Sequence, residues 1–363
     1  MSITMITGAD GHLGRSLAHW FLDNTDDELQ LYVRASDRAQ VDCKRVALGR
    51  LATNARCRVV GSDLRCGKPF EDISGAGLRS IVHCAAVTDF GVSLERARDV
   101  NVEGTARLVE FAASCPRLDR FVFLSSLYAA GLRDGTLAEE PFPKPEHFAN
   151  RYEWSKWQSE AMLQARKDLP WQVHRIATLL SDDSNGSVRQ QNVIHNTLRL
   201  FYYGLLSILP GVPDTRIYTT TTGVAVNAIG RLMQAGADHA YFNISDNADN
   251  ALQLGEFCDR AYAAFMRNPT FARHGILKPR FCDQAAFDVL TSSVEQFGGT
   301  MAQALSSVKP FAPQLFSDKR VDNSAAAGAM PELDTPTLVD RVCEQLVAKR
   351  WGHRHPEEAR RCA

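Results

Sequence analysis

The sequence is poor in the features that mark whole classes of protein. No stretch approaches the roughly 18 uninterrupted apolar residues of a membrane span, so none is expected. The start, MSITMITGAD, has no basic region, long apolar run or small-residue cleavage site, so it does not read as a signal peptide, and a cytoplasmic protein is expected. With 41 Lys and Arg against 42 Asp and Glu, the formal net charge is −1, and no global field favours nucleic acid or an anionic membrane. Cysteine pairs are missing too. The nine cysteines (Cys43, Cys57, Cys66, Cys84, Cys115, Cys258, Cys282, Cys343 and Cys362) contain no CxxC spacing and are odd in number. That argues against a disulfide framework and a structural zinc site. The ten histidines are scattered, and the HRH at 353–355 reads as a solvated tail rather than a metal site.

What is present is an ordinary globular composition, 45% apolar and 23% charged over 363 residues, enough for two domains or one domain with a lobe. The first half alternates short apolar runs with helical periodicity. Strands are expected at Ile3–Ile6, LQLYV, CRVVG, SIVHCAA, RFVFLSS and WQVHRIATLL. Helices are expected at HLGRSLAHWFLDN, RAQVDCKRVALGRLA, Leu94 to Ser114 and around YEWSK. That rhythm implies a Rossmann-type, doubly wound parallel α/β sheet, whose ligands sit at the carboxyl ends of the strands. After about residue 180 the rhythm breaks. The apolar VIHNTLRLFYYGLLSIL reads as helical, AYFNISD as a strand and LQLGEFCDRAYAAFM as an amphipathic helix. Residues 1–180 are therefore expected to carry the nucleotide site, and residues 181–363 a smaller mixed α/β substrate lobe. Segments near 215–250 are expected to return to the main sheet.

The glycines of TGADGHLG (Gly8, Gly11 and Gly14) follow a strand and open a helix, the context a dinucleotide loop requires. Gly8 would make the turn, Gly11 would admit a pyrophosphate, and Gly14 would allow close packing. Thr7, Asp10, His12 and Leu13 belong to the same loop, and the N–H groups at the helix start attract phosphate. The second strand ends in VRASDR, with Arg34 and Arg38 where an NAD site places an acid. Guanidinium groups suit a 2′-phosphate, which favours NADPH. Asp63 in GSDL is placed to accept from an adenine amino group, unless it merely caps a turn. Ala85 and Ala86 are small enough to lie against a flat ring. Asn101, unfavourable inside a helix, suggests a buried hydrogen-bonding role. Serines of FLSSLYAAG stand at a strand end.

Tyr152 and Lys156, four apart in RYEWSKWQSE, share one helix face. Alone, that spacing describes many surface helices. After a nucleotide loop, and following Ser126, it suggests an acid–base pair. A tyrosine pKa near 10 is too high for neutral pH, and a neighbouring ammonium together with the positive nicotinamide ring of an oxidised cofactor is expected to lower it.

In this order, TGxxGxxG, Asp63-Leu64, HCAA, Asn101, the SS strand end and YxxxK resemble the extended short-chain dehydrogenase/reductase superfamily over at least residues 3–180. LYVRASD, HCAAVTDFGVSLERARDVNVEGTARLVEFA and YEWSKWQSEAML, with KPFAPQLFSDKRVDNS beyond, are similar to its thioester reductase and fatty acyl-CoA reductase branch. The resemblance implies NADPH-dependent reduction of an acyl thioester to an aldehyde, with some members continuing to the alcohol. It makes Tyr152 the proton donor, Lys156 its partner and Ser126 the polarising hydroxyl. It implies cofactor contacts at Leu64, Ala85, Ala86, Asn101, Ser125 and Lys156, and substrate contacts at Thr88, Ser126, Tyr152, Ile176 and Thr178.

There are departures. An Arg-Pro-Gly segment frequent in the family reads RIATLL from Arg175 here, and the stretch between the second and third strands is short. No carrier or adenylation domain is recognised, so the acyl group is expected from CoA or a carrier protein acting in trans, on a monomer or homodimer. The alternatives are a ketone or aldehyde reductase or 3-hydroxy dehydrogenase, a sugar-nucleotide epimerase or dehydratase, and a nucleotide-sensing regulator. A dehydratase would place acids beside the serine, and a regulator would typically lose the Tyr–Lys pair.

Overall fold

The computed structural model describes residues 2–352 apart from Gly236 and Gly298. The histidine-rich segment 353–355 and Cys362 lie outside the described residues. By its internal contacts the chain divides into two compact units. The first comprises Met1–Ala177, Thr222–Ser245 and Val321–Pro331, and the second Thr178–Thr221, Asp246–Arg320 and Glu332–Ala363.

The first unit is built on seven parallel strands: β1 (Ile3–Thr7), β2 (Glu28–Arg34), β3 (Cys57–Ser62), β4 (Leu78–His83), β5 (Arg120–Ser126), β6 (Trp171–Ile176) and β7 (Ala240–Ile244). They lie in the order β7-β6-β5-β4-β1-β2-β3. This is the expected doubly wound sheet, with the chain reversing direction between β1 and β4. The returning strand β7 comes from AYFNISD and pairs parallel with β6, Asn243 opposite Arg175. The central strands are buried throughout, β5 along its whole length. Met5, Ile81, Phe121, Phe123, Leu108 and Val173 share one cluster, and each such side chain contributes roughly 1.5–3 kcal/mol by leaving water.

The helices of this unit are α1 (His12–Asn24), α2 (Arg38–Leu48), α3 (Gly104–Ala113), α4 (Arg151–Gln164) and α5 (Thr222–Gln234). Helix α1 buries Leu17, Ala18, Trp20 and Phe21. Trp20 donates to Asn227 Oδ1 of α5 at 3.0 Å, and a Cβ at Gly230 would lie 2.3 Å from the indole. Glycine is what lets α1 and α5 approach.

Several elements are shorter than periodicity suggests, each for a local reason. The helix from Arg38 stops at Gly49, whose φ of +59° a side chain rarely adopts. The stretch Leu94–Ala113 is not one α-helix: it widens into a π-helical segment at Arg98–Glu103, around Asn101. WQVHRIATLL is two strands. The Ala177 N–H binds the carbonyl of Ile244, and Thr178–Ser181 then pairs with Thr219–Thr221 in the second unit.

In the second unit the apolar VIHNTLRLFYYGLLSIL forms a helix only over Val193–Tyr202, because Gly204 takes φ +68°. Ile208–Pro210 then becomes a strand beside Arg280–Cys282. The helices Val193–Tyr202, Leu254–Met266 and Thr335–Ala348 supply a core of Leu198, Phe201, Phe257, Phe265, Val339 and Val342. Among the described residues no helix is long and apolar enough to cross a membrane.

Candidate active site

The glycine loop joins β1 to α1. Gly8 has φ +65°, and a Cβ there would lie 2.9 Å from the Ala85 backbone after β4. A Cβ on Gly14 would lie 2.2 Å from the Gly8 carbonyl oxygen, so Gly14 brings the first turn of α1 onto the loop itself. No side chain caps α1 at Gly11. A helix of 13 residues therefore presents its N-terminus beside a backbone cradle that side chains would fill, which suits an anionic diphosphate. The polar loop residues brace it. Asp10 pairs with Lys44 of α2 at 2.6 Å, and His12 Nε2 meets Thr222 Oγ1 of α5 at 2.8 Å. Thr7 Oγ1 meets His83 Nδ1 at 2.7 Å and accepts from the Ala85 N–H at 3.2 Å. The other His83 nitrogen meets Thr105 at 2.9 Å. Burial drives His83 down to about 3, so it is a neutral brace rather than a proton carrier.

At the ends of β2 and β3 lies a basic corner. Arg34 ends β2 exposed, and Arg38 opens α2, whose N-cap is Asp37, accepting from the Gln40 N–H at 2.9 Å. Asp37 is thus occupied as a helix cap. Asp63, expected at an adenine, is bonded by Arg65, Nη2 to Oδ2 at 2.7 Å and Nε to Oδ1 at 3.1 Å. Arg65 bonding holds the Asp63 carboxyl below its usual range. Arg65 was missed by sequence reasoning, although GSDLR places it two residues after the acid.

Three further expected site residues are held as follows. Asn101, expected at the cofactor, is buried and bonded within the protein. Its Oδ1 accepts from the Val87 N–H at 2.8 Å, and its Nδ2 donates to Val87 O at 3.0 Å and to Ser155 Oγ at 2.8 Å. It ties the segment after β4 to α4, and its π turn makes the reach. Ser125 also turns inward, donating to buried Glu160. Thr178, expected at substrate, belongs to the second unit. Of the others, Leu64 is buried and lies 3.0 Å from where a Gly104 Cβ would stand. Thr88 is exposed, and buried Ile176 pairs with Ser126 across β5 and β6.

Ser126, Tyr152 and Lys156 do meet. Tyr152 is on the first turn of α4, capped by Asn150, whose side chain accepts from the Glu153 N–H at 3.0 Å. Its hydroxyl shares a hydrogen bond with Ser126, and its ring lies 5.6 Å from that of Phe90. Lys156 Nζ donates to the Leu124 carbonyl at 2.8 Å and sits 4.7 Å above the Phe123 ring. Cys84 also faces this ammonium. Since Cys84 adjoins Ala85, against which Gly8 packs, the glycine cradle and the triad meet at the end of β4.

Without the cofactor's charge, burial sets the titration order of the pair. Burial pushes Tyr152 up to about 12, against the Ser126 hydrogen bond. Burial also pushes Lys156 down to about 8, partly opposed by Cys84 and Glu160. With desolvation dominant in both, the protein's own groups keep Tyr152 protonated.

The sequence profile of the male sterility protein family matches residues 6–229. The chain belongs to this family. It is an extended short-chain dehydrogenase/reductase of the thioester reductase and fatty acyl-CoA reductase branch, with an NAD(P)-binding domain. The chain is 27% identical over 212 residues to an isonitrile lipopeptide synthase of Streptomyces coeruleorubidus, covering 54% of this chain and 14% of that protein. It is 37% identical over 62 residues to the chloroplastic fatty acyl-CoA reductase 2 of Arabidopsis thaliana, covering 17% of this chain and 10% of that protein. The chain therefore spans a small part of either relative's length. Its fold is similar to the terminal R domain of the myxalamid PKS-NRPS pathway, with TM-score 0.75, 19% identity, and coverage of 96% of this chain and 91% of that one. A thiolation-reductase di-domain from an archaeal non-ribosomal peptide synthetase gives 0.72, 15%, 97% and 76%.

Proposed function

We propose that the protein is an NADPH-dependent reductase that converts an acyl thioester to an aldehyde, and in further turnover to the alcohol. The observation that carries this reading is the buried Tyr152 hydroxyl bonded to Ser126, with Lys156 anchored one turn along the same helix, its Nζ 5.9 Å from the centroid of the tyrosine ring. When bound, NADPH would supply the hydride for the thioester carbon. The first turn of α1 with Gly8, Gly11 and Gly14 would hold its diphosphate, and Arg34 and Arg38 its 2′-phosphate. Ser126 and Tyr152 donate to the carbonyl oxygen, where negative charge develops. Tyr152 holds the proton for that oxygen, and Lys156 keeps a positive charge beneath it. Collapse of the hemithioacetal releases a thiol and the aldehyde. The relatives' names, a fatty acyl-CoA reductase and a thiolation-reductase di-domain, support a donor carried on CoA or a carrier protein.

The test is NADPH oxidation against a panel of acyl-CoA thioesters, with free thiol scored in the same cuvette. One thiol per NADPH consumed in the first reduction is expected. Consumption of ketones or aldehydes without thiol release from any thioester would move the protein to the carbonyl reductases. Cofactor choice has its own check. Arg34→Ala is expected to weaken NADPH binding by about 10- to 100-fold, the loss of a charge-assisted hydrogen bond. NADH should change by less than about twofold, and equal losses by titration of both would remove the 2′-phosphate role.

A further inference from the structure

Beneath the proposed catalytic residues lies an ion pair that the reduction does not use. Glu160 and Arg175 are both buried, their side chains 3% and 0% exposed. Arg175 grips the carboxylate with two nitrogens, Nη2 to Oε2 at 2.7 Å and Nε to Oε2 at 3.1 Å. Its Nη1 donates to the Ala138 carbonyl at 3.2 Å, and its guanidinium carbon lies 3.3 Å from the centroid of the Phe142 ring. Burying two charges is costly, and such a pair gains little over an apolar replacement unless it confers specificity. The geometry shows what this pair specifies. Tyr152, Lys156 and Glu160 are successive turns on one face of α4. They engage Ser126, the Leu124 carbonyl and Ser125, three consecutive residues at the end of β5. Ser125 and Arg175 are also directly paired in register across β5 and β6.

We propose that Glu160, fixed by Arg175, is a positioning residue that clamps Ser125 and so sets the end of β5 where Ser126 meets Tyr152 and Leu124 holds Lys156. The proposal rests on the reductase reading of this site. Each partner in the clamp is engaged: Glu160 accepts from Ser125 and from two Arg175 nitrogens in three hydrogen bonds, and Arg175 spends its remaining nitrogen on a backbone carbonyl. Without Ser125's hydroxyl the strand end loses its middle tether, and displacements on the order of 1 Å can cost about 100-fold in rate. Glu160 also acts by charge. The ionisable groups facing Lys156 are Cys84 and His83 from β4 and its continuation, and Tyr152 and Glu160 from its own helix. Of these, Glu160 is the carboxylate, so it opposes the loss of the Lys156 proton.

Ser125→Ala and Glu160→Gln are compared with wild type in kcat and KM from pH 6 to 10, with NADPH affinity by fluorescence. Ser125→Ala is expected to lower kcat about 10- to 100-fold with NADPH affinity within about twofold. Glu160→Gln should do the same and move the alkaline limb down by about one pH unit. The titration of [13Cε]lysine in both proteins reads that movement without turnover. If Glu160→Gln fails to fold, Glu160→Gln/Arg175→Gln replaces it for the kcat comparison alone, since two amides leave no buried charge unpaired and the two lost charges cancel in the lysine titration. That titration is then read in Glu160→Asp, where the shorter carboxylate is expected to move it. Wild-type kcat in Ser125→Ala, or an unmoved lysine titration in the glutamine variant, would overturn the proposal. If the wild type reduces carbonyls but no thioester, the substrate reading falls. The clamp is then judged by the same comparison on that carbonyl.

Discussion

Tyr152→Phe is expected to lower kcat for thioester reduction by about 1,000-fold and leave NADPH affinity within about twofold of wild type. A positioned general acid contributes about 100- to 10,000-fold, and the hydroxyl is the only group the substitution removes. Phenylalanine keeps the ring against Phe90, Val92 and Ala97. Ser126 loses one partner, a stability cost of about 1 kcal/mol, while the glycine cradle and the Lys156–Leu124 bond persist. The pH profile adds a second reading of the same site. Tyr152 lies near 12 and Lys156 near 8. The alkaline fall in wild-type activity should therefore follow the lysine, above about pH 8, rather than the tyrosine. Turnover of the phenylalanine variant at a rate comparable to wild type would remove Tyr152 from the chemistry. A wild-type profile flat to pH 10 would remove the need for a charged Lys156.

The parts of this architecture that were legible in the sequence are those governed by backbone sterics and periodicity. Gly8, Gly11 and Gly14 are spaced by the needs of a turn that no side chain fits, and alternating apolar runs reveal a parallel sheet before any contact is known. That Ser126, Tyr152 and Lys156 come together was legible because chain order and helical spacing bring them to one strand end. What stayed hidden depends on tertiary contacts. Ser125 and Ser126 are chemically identical in sequence. Only the partner across the gap, Glu160 for one and Tyr152 for the other, separates a structural tether from a rim hydroxyl. Asn101 was readable as a buried hydrogen-bonding residue, but its partners Val87 and Ser155 depend on a widened π turn that propensity does not forecast. Arg175 drew notice as a departure from the family pattern, and its partner sits fifteen residues earlier on another element. For the tyrosine's titration, a neighbouring ammonium is visible in sequence, whereas the desolvation that raises Tyr152 among the protein's own groups is not.

In the second unit, Asp246→Asn is expected to raise stability at pH 8 by about 2–4 kcal/mol and to change it little near pH 4. Asp246 is buried just beyond β7. Its Oδ1 accepts from the Thr219 N–H at 3.0 Å, and its Oδ2 lies 3.1 Å from the Thr335 hydroxyl at the start of the Thr335–Ala348 helix. Burial outweighs these hydrogen bonds and pushes the carboxyl up to about 7. An unfolded aspartate titrates near 3.9. An acid whose folded pKa is raised costs the fold nothing while both states are protonated, below about pH 4. The penalty then grows until the folded group ionises near pH 7 and stays constant above it. Three units correspond to at most about 4 kcal/mol, and relaxation around the charge lowers that figure. Asparagine keeps an oxygen for the Thr219 N–H and gives the threonine hydroxyls a donor. The measurement is the melting temperature of both proteins from pH 4 to 8. The two curves should diverge upward through that window, with the variant several degrees higher at pH 8. A variant less stable than wild type at pH 8 would mean that the ionised carboxylate, held by Thr219 and Thr335, is what joins these segments.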